Sequence, residues 1–105
     1  MAYPPGAMSE HQVRSLEQGD EFYIVSENTM GKWFMKGPYF LGYFREKDMD
    51  GPTTTMIGYQ DKNSSKPEYY ESYLSALCWH NHIFRTAEEA RSRLQWERKL
   101  SRRTP

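Results

Sequence analysis

The run Tyr39-Phe40-Leu41-Gly42-Tyr43-Phe44-Arg45 decides the fold class. Its density of large aromatic side chains suits a pleated, half-buried surface better than a helix. Strict alternation puts Tyr39, Leu41 and Tyr43 on one face of a strand, and Phe40 and Phe44 on the other with Gly42 between them. Sheets of small proteins usually bury one face and wet the other, so the Phe face is expected to be core. The tyrosines then cover a rim or a partner, or pack under a helix.

Working outward, Lys32 to Lys36 reads as a preceding strand that ends at Gly37-Pro38, and Glu21 to Ser26 as the first strand. Asn28 to Gly31 supplies turn chemistry between these two. Downstream, Glu46 to Pro52 is a polar turn carrying Asp48 and Asp50, Thr53 to Tyr59 reads as a fourth strand, and Gln60 to Pro67 as a polar loop. Over Glu68 to Leu77 the residues Tyr69, Tyr70, Tyr73, Leu74 and Leu77 recur at helical spacing, which predicts a short helix. Thr86-Ala87-Glu88-Glu89 is a capping box, in which Glu89 is expected to reach back to the Thr86 amide, and it opens a C-terminal helix. Acidic residues at the start of that helix and basic residues at its end both suit its macrodipole.

At the other end, Pro4, Pro5 and Gly6 mark a loosely held arm, and Ser9 can cap a helical turn that runs to Leu16. The expected organisation is a flexible arm or short helical turn over 1–18 and a single domain over 19–105. The fold class is α+β, a small, mostly antiparallel β-sheet packed against a C-terminal α-helix.

A chain of 105 residues holds one core, and 15% aromatic residues give that core large surfaces despite a hydrophobic share of 37%. Fourteen Lys and Arg balance fourteen Asp and Glu, so the overall charge writes in neither a polyanion mimic nor a uniformly basic nucleic-acid binder. One cysteine excludes an intramolecular disulfide, and no run approaches the roughly 18 apolar residues of a membrane span. A cytoplasmic protein without a membrane partner is the expectation.

Three groups of residues point toward function. Cys78, His80 and His82 alternate, and on a strand they would share a face with the thiolate and imidazole chemistry that zinc takes. A structural site needs a fourth ligand, however, and the remaining histidine, His11, is distant, so no metal is assigned and Cys78 reads as a small buried hydrophobe. Asp48 and Asp50 lack the loop of a calcium-binding hand, and Gly-rich phosphate cradles are absent. The second group lies in the last 21 residues, where seven basic residues face three acidic ones. Arg91, Arg93, Arg98, Lys99, Arg102 and Arg103 suit phosphates, with Trp96 beside them to stack on a base, or they form a solvated helix face. The third is apolar: Ala87, Ala90 and Leu94 form one helical stripe, with Trp96 opposite and Leu100 between. Tyr39, Tyr43, Trp96 and Leu100 are therefore the candidate partner-binding residues.

Gly19-Asp20-Glu21-Phe22-Tyr23-Ile24-Val25, followed by Trp33 and later by Asn81-His82-Ile83-Phe84-Arg85-Thr86-Ala87-Glu88-Glu89-Ala90, resembles a pattern in small phage and prophage proteins. In that pattern a Gly-Asp-aromatic strand precedes an Asn-x-Phe-x-Thr-x-Glu-Glu-Ala helix start, and here one more residue separates Asn81 from Phe84. The resemblance implies a viral or mobile-element origin, a host-takeover or counter-defence role in the host cytoplasm, and no catalytic residue. The expected function is a non-enzymatic interaction protein, without a cofactor, that binds and modulates a host or viral macromolecule, a protein first. Nucleic-acid binding through the basic helix is the alternative, and a small-ligand or nucleotide sponge near Cys78, His80 and His82 the next. A homodimer is compatible with Trp96 and the tyrosine face.

Overall fold

A computed structural model describes residues 6–48, 51, 53–63 and 68–103. Along the chain come α1 (Glu10–Arg14), β1 (Glu21–Glu27), β2 (Trp33–Lys47), β3 (Thr54–Asp61), β4 (Tyr69–Tyr73), α2 (Leu74–His80), β5 (His82–Phe84) and α3 (Ala87–Arg103). The strands form one sheet in the order β4-β3-β2-β1-β5, every neighbouring pair antiparallel. With α3 packed on it, the fold is the α+β architecture expected. Among the described residues no helix is long and apolar enough to cross a membrane.

The β1–β2 turn follows from Asn28, whose Oδ1 accepts the amides of Met30 and Lys32, each at 2.9 Å. Gly31 supplies the positive φ, 80°, that such a turn needs. Beyond it, the two strands expected on either side of Gly37-Pro38 are a single 15-residue strand. Ile24 faces Lys36 and Phe22 faces Tyr39, so Gly37 and Pro38 together oppose Tyr23 in a bulge. A bulge tolerates the missing proline N–H, and a Cβ on Gly37 would come within 2.9 Å of the Tyr23 ring.

A second bulge changes which residues share a face. Leu41 pairs with Tyr59 and Tyr43 with Gly58, so Gly42 is the extra residue. Tyr39 and Leu41 therefore share a face with Phe44, while Tyr43 joins Phe40 on the other. This corrects the simple alternation, which kept Tyr39 with Tyr43 and Phe40 with Phe44.

The segment Glu68 to Leu77 is also corrected. Its tyrosines form β4, paired with Gln60, Tyr59 and Met56 of β3, and only Leu74 onward is helical. Tyr is a strand former, and Leu74 and Leu77 are what remains of the helical stripe. β4 and β5 run in the same direction at opposite edges of the sheet, and α2 is the crossover between them.

Each face carries its own core. On one, Phe22, Ile24, Leu41, Ile57 and Ile83 of the sheet bury against Val13 and Leu16 and against Leu74 and Leu77 of α2. On the other, Val25 and Phe84 bury against Ala90 of α3, with Tyr23, Trp33, Met35 and Leu94 packed around them. Each large side chain so buried contributes about 1.5–3 kcal/mol. The N-terminal segment belongs to this packing: Ser9 caps α1 as expected, Val13 is 1% exposed, and the Met8 amide donates to the Ile83 carbonyl at 2.8 Å. At the start of α3 the Glu89 amide donates to Thr86 Oγ1 at 3.2 Å as predicted, but the Glu89 carboxylate accepts the Thr86 hydroxyl, at 2.9 Å.

Candidate functional site

Because α3 lies over β5, β1 and β2, the α3 face of β3 and β4 stays open, and a tyrosine patch fills it. Two glycines seat its rings. A Cβ on Gly58 would fall 2.3 Å from the Tyr43 ring and one on Gly42 2.3 Å from the Tyr69 ring, so both rings occupy space that only glycine leaves free. Their centroids are 5.6 Å apart. Next to them the Tyr43 hydroxyl donates to Glu71 Oε2 at 2.5 Å, and Arg45 donates to the same carboxylate, from Nε at 2.9 Å and also from Nη2. Arg45 first, and Tyr43 second, hold the Glu71 carboxyl down at about 2, and the same bonds raise Tyr43 and Arg45. The cluster is open to solvent, so it orients side chains more than it stabilises the fold. Lys47 lies 5.9 Å from the Tyr73 ring centroid, and Lys62 lies 5.4 Å from that of Phe40 while pairing with Glu21 at 3.0 Å. Tyr43, Tyr69 and Tyr73 are 36%, 51% and 37% exposed.

The opposite face holds a cleft of about 470 Å³ lined by Met35, Lys36, Gly37, Tyr39, Tyr59, Asp61 and Tyr70. Its rings form a connected wall. Tyr39 and Tyr59 meet edge to face at 5.2 Å, Tyr59 and Tyr70 lie 5.8 Å apart, and Phe22 backs Tyr39 and Tyr59 at 5.7 and 5.6 Å. Burial raises the Tyr39 hydroxyl, with Tyr59, Asp61 and Tyr70 adding to the effect.

The structure scatters the residues singled out in the sequence. Tyr39 lines the cleft and Tyr43 the patch, on opposite faces. Trp96 is half-buried, with the Arg93 guanidinium 5.6 Å from its ring, and Leu100 is exposed further along α3. Arg93 also pairs with Glu97 at 2.9 Å, and Arg98 donates to the Trp33 carbonyl at 3.0 and 3.3 Å, tying α3 to the sheet. Arg91 and Lys99 are exposed. Arg102 and Arg103 end α3, and their side chains lie outside the described ones.

The strand that would have aligned Cys78, His80 and His82 does not exist. Cys78 and His80 belong to α2, Asn81 ends that helix, and His82 starts β5. Among the described residues no cluster of three or more His, Cys, Asp or Glu could hold a metal ion. Burial, and then Glu10, push the Cys78 thiol up, opposite to what activates a nucleophile. His82 stacks on Trp33 at 5.8 Å, and burial, then Arg93, push its pKa down. Asp48 accepts the Thr53 hydroxyl at 3.2 Å, whereas Asp50 lies outside the described residues.

Sequence reasoning missed Arg45, Tyr59, Tyr69, Tyr70 and Glu71 as site residues, and also Trp79, which is 84% exposed on α2. The Tyr-Tyr-Glu-Ser-Tyr run of β4 carried a usable signal, since alternation sends Tyr69, Glu71 and Tyr73 to one face and Tyr70 to the other. Compared with known proteins, the chain matches no family model, no curated protein and no solved structure. Its functional reading rests on geometry.

Proposed function

We propose that this protein works by binding another protein through the tyrosine patch of β2, β3 and β4, as a non-enzymatic interaction module. The observation that carries this reading is the set of exposed Tyr43, Tyr69 and Tyr73 rings around the Arg45–Glu71 pair. Tyr and Arg are the side chains that anchor protein interfaces, and tyrosine offers a large contact area at low entropic cost. Two of these rings are seated on glycines and one is also bonded to Glu71, so little order remains to be imposed on binding. The patch pairs its guanidinium internally, which suits a protein surface better than a phosphate backbone. A phage origin, which the sequence resemblance implies, would make the partner a host or viral protein.

The test is affinity capture from a lysate with and without nuclease, comparing the wild type with Tyr69→Ala/Tyr73→Ala and with Arg91→Gln/Lys99→Gln on α3, after thermal melts show all three to be folded. A protein held by the wild type and the α3 variant but released by the patch variant is the expected result. Capture that survives loss of the patch tyrosines overturns the proposal. Loss of all bound material on nuclease treatment overturns it too, in favour of nucleic-acid binding through α3.

A further inference from the structure

We propose that the cleft between Tyr39, Tyr59, Tyr70 and Asp61 is a binding site for an alkylated ammonium group, a small organic cation whose charge is spread over methyl groups. It lies on the face opposite the patch, so it stands or falls independently of the protein-binding reading.

Tyr39 and Tyr59 meet at 76° and Tyr70 continues the wall at 34° to Tyr59, so rings of different orientation border one space. Aromatic rings attract cations through their quadrupoles, most of all cations that give up little hydration on entry. The carboxylate of Asp61 supplies the formal countercharge. It stands directly across the strand pair from Tyr39, and one of its oxygens accepts the Asn63 amide at 2.9 Å. Among the described residues no Lys, Arg or His forms an ion pair with it.

Among the described residues, neither lysine near the cleft pairs with Asp61. Lys36 lines the cleft, but its ammonium lies 5.1 Å from the Phe34 centroid, and Phe34 is not a lining residue. The Lys62 ammonium is held by Glu21 at 3.0 Å. Burial first raises the Tyr39 hydroxyl, and the nearby Asp61 carboxylate adds to the effect, which keeps Tyr39 a neutral ring beside that negative charge. At about 470 Å³ the cleft falls within the usual range of small-molecule sites, roughly 300–1,000 Å³. Tyr70, at 51% exposed, leaves its outer wall accessible. A primary ammonium is hydrated more strongly and gives up more on entering a site walled by rings, so alkylation is what this cleft selects.

NMR titration of the full chain with choline and with tetramethylammonium tests the assignment, with the neutral carbon isostere of choline as the control for shape. Both cations are expected to shift resonances around Tyr39, Tyr59 and Tyr70 saturably, and the isostere to bind more weakly. Tyr70→Leu and Asp61→Asn should each weaken the cations by about 2- to 30-fold, the span of a cation–π contact, whereas Tyr70→Phe keeps binding. Equal binding of the isostere, unchanged affinity in Tyr70→Leu and Asp61→Asn, or no saturable binding in the millimolar range overturns the proposal. A peptide bearing one trimethylated lysine identifies the source of the group. Binding tighter than choline supports the site with a modified protein side chain as its ligand, and weaker binding supports it with a free small cation.

Discussion

The two tyrosine surfaces use the same residue type in opposite ways. On the patch, rings pack closely over glycines, and the charged groups beside them are spent on one another in the Tyr43–Glu71–Arg45 cluster. In the cleft, rings meet edge to face over Phe22, and Asp61 faces them with no ion pair among the described residues. A surface whose polar groups are already satisfied offers shape and area, whereas one with an uncompensated carboxylate offers an electrostatic vacancy. The two are neighbours in sequence, since Tyr39 and Tyr43 lie on one strand and the bulge at Gly42 separates them.

The largest effect that separates the surfaces is expected at Phe22, which is 1% exposed and backs two rings of the cleft. Phe22→Ala should cost about 3–5 kcal/mol in denaturant unfolding and remove the cleft's support. In the fraction that stays folded the Tyr43–Glu71 bond should survive, and its loss there would show that the surfaces are not independent. Next comes Gly58→Ala, whose new methyl group takes the place of the Tyr43 ring. A cost of about 1–3 kcal/mol is expected, with NMR showing Tyr43 displaced and Tyr39 unmoved.

Acid separates them more gently. The Glu71 carboxyl is held at about 2 against an ordinary 4.5, so its contribution is complete above the ordinary value and fades as pH falls through the lower one. A carboxyl titration by NMR should find its midpoint well below the usual range. Arg45→Gln should raise that midpoint more than Tyr43→Phe does, and the reverse order would contradict the geometry. The smallest effect belongs to Trp79, 84% exposed and outside both surfaces. Trp79→Ala should change unfolding free energy by no more than about 0.5 kcal/mol.

Much of this architecture is legible in the residues. β-branched and aromatic runs mark β1 and β3, and the Thr86 cap marks α3, because propensity and capping are local properties. The bulges are not legible, because whether Gly42 is paired or skipped depends on β3, a separate stretch of chain. Tyr39 and Tyr43 could both be recognised as candidates, but not their separation. Tyr69, Tyr70 and Tyr73 satisfy a period near 3.6 as well as strand pairing, and only the hydrogen-bonding edge of β3 resolves the choice. Arg45 and Glu71 are 26 residues apart, and topology alone brings them together. Cys78, His80 and His82 alternate in sequence, but α2 ends at Asn81 and divides them between a helix and a strand.

The extra residue at Gly42 also sets the parity of everything that follows it in β2. Were Gly42 taken into the ladder opposite Gly58 instead of being skipped, Tyr43, Arg45 and Lys47 would pass together to the opposite face, while Tyr39 stayed where it is. Loss of Gly42 with the β3 pairing kept leaves Tyr43 opposite Gly58 and the patch on its present face. The β2 half of the patch thus moves or stays as a block, decided by register at one residue, whereas the β2 contribution to the cleft ends before that point.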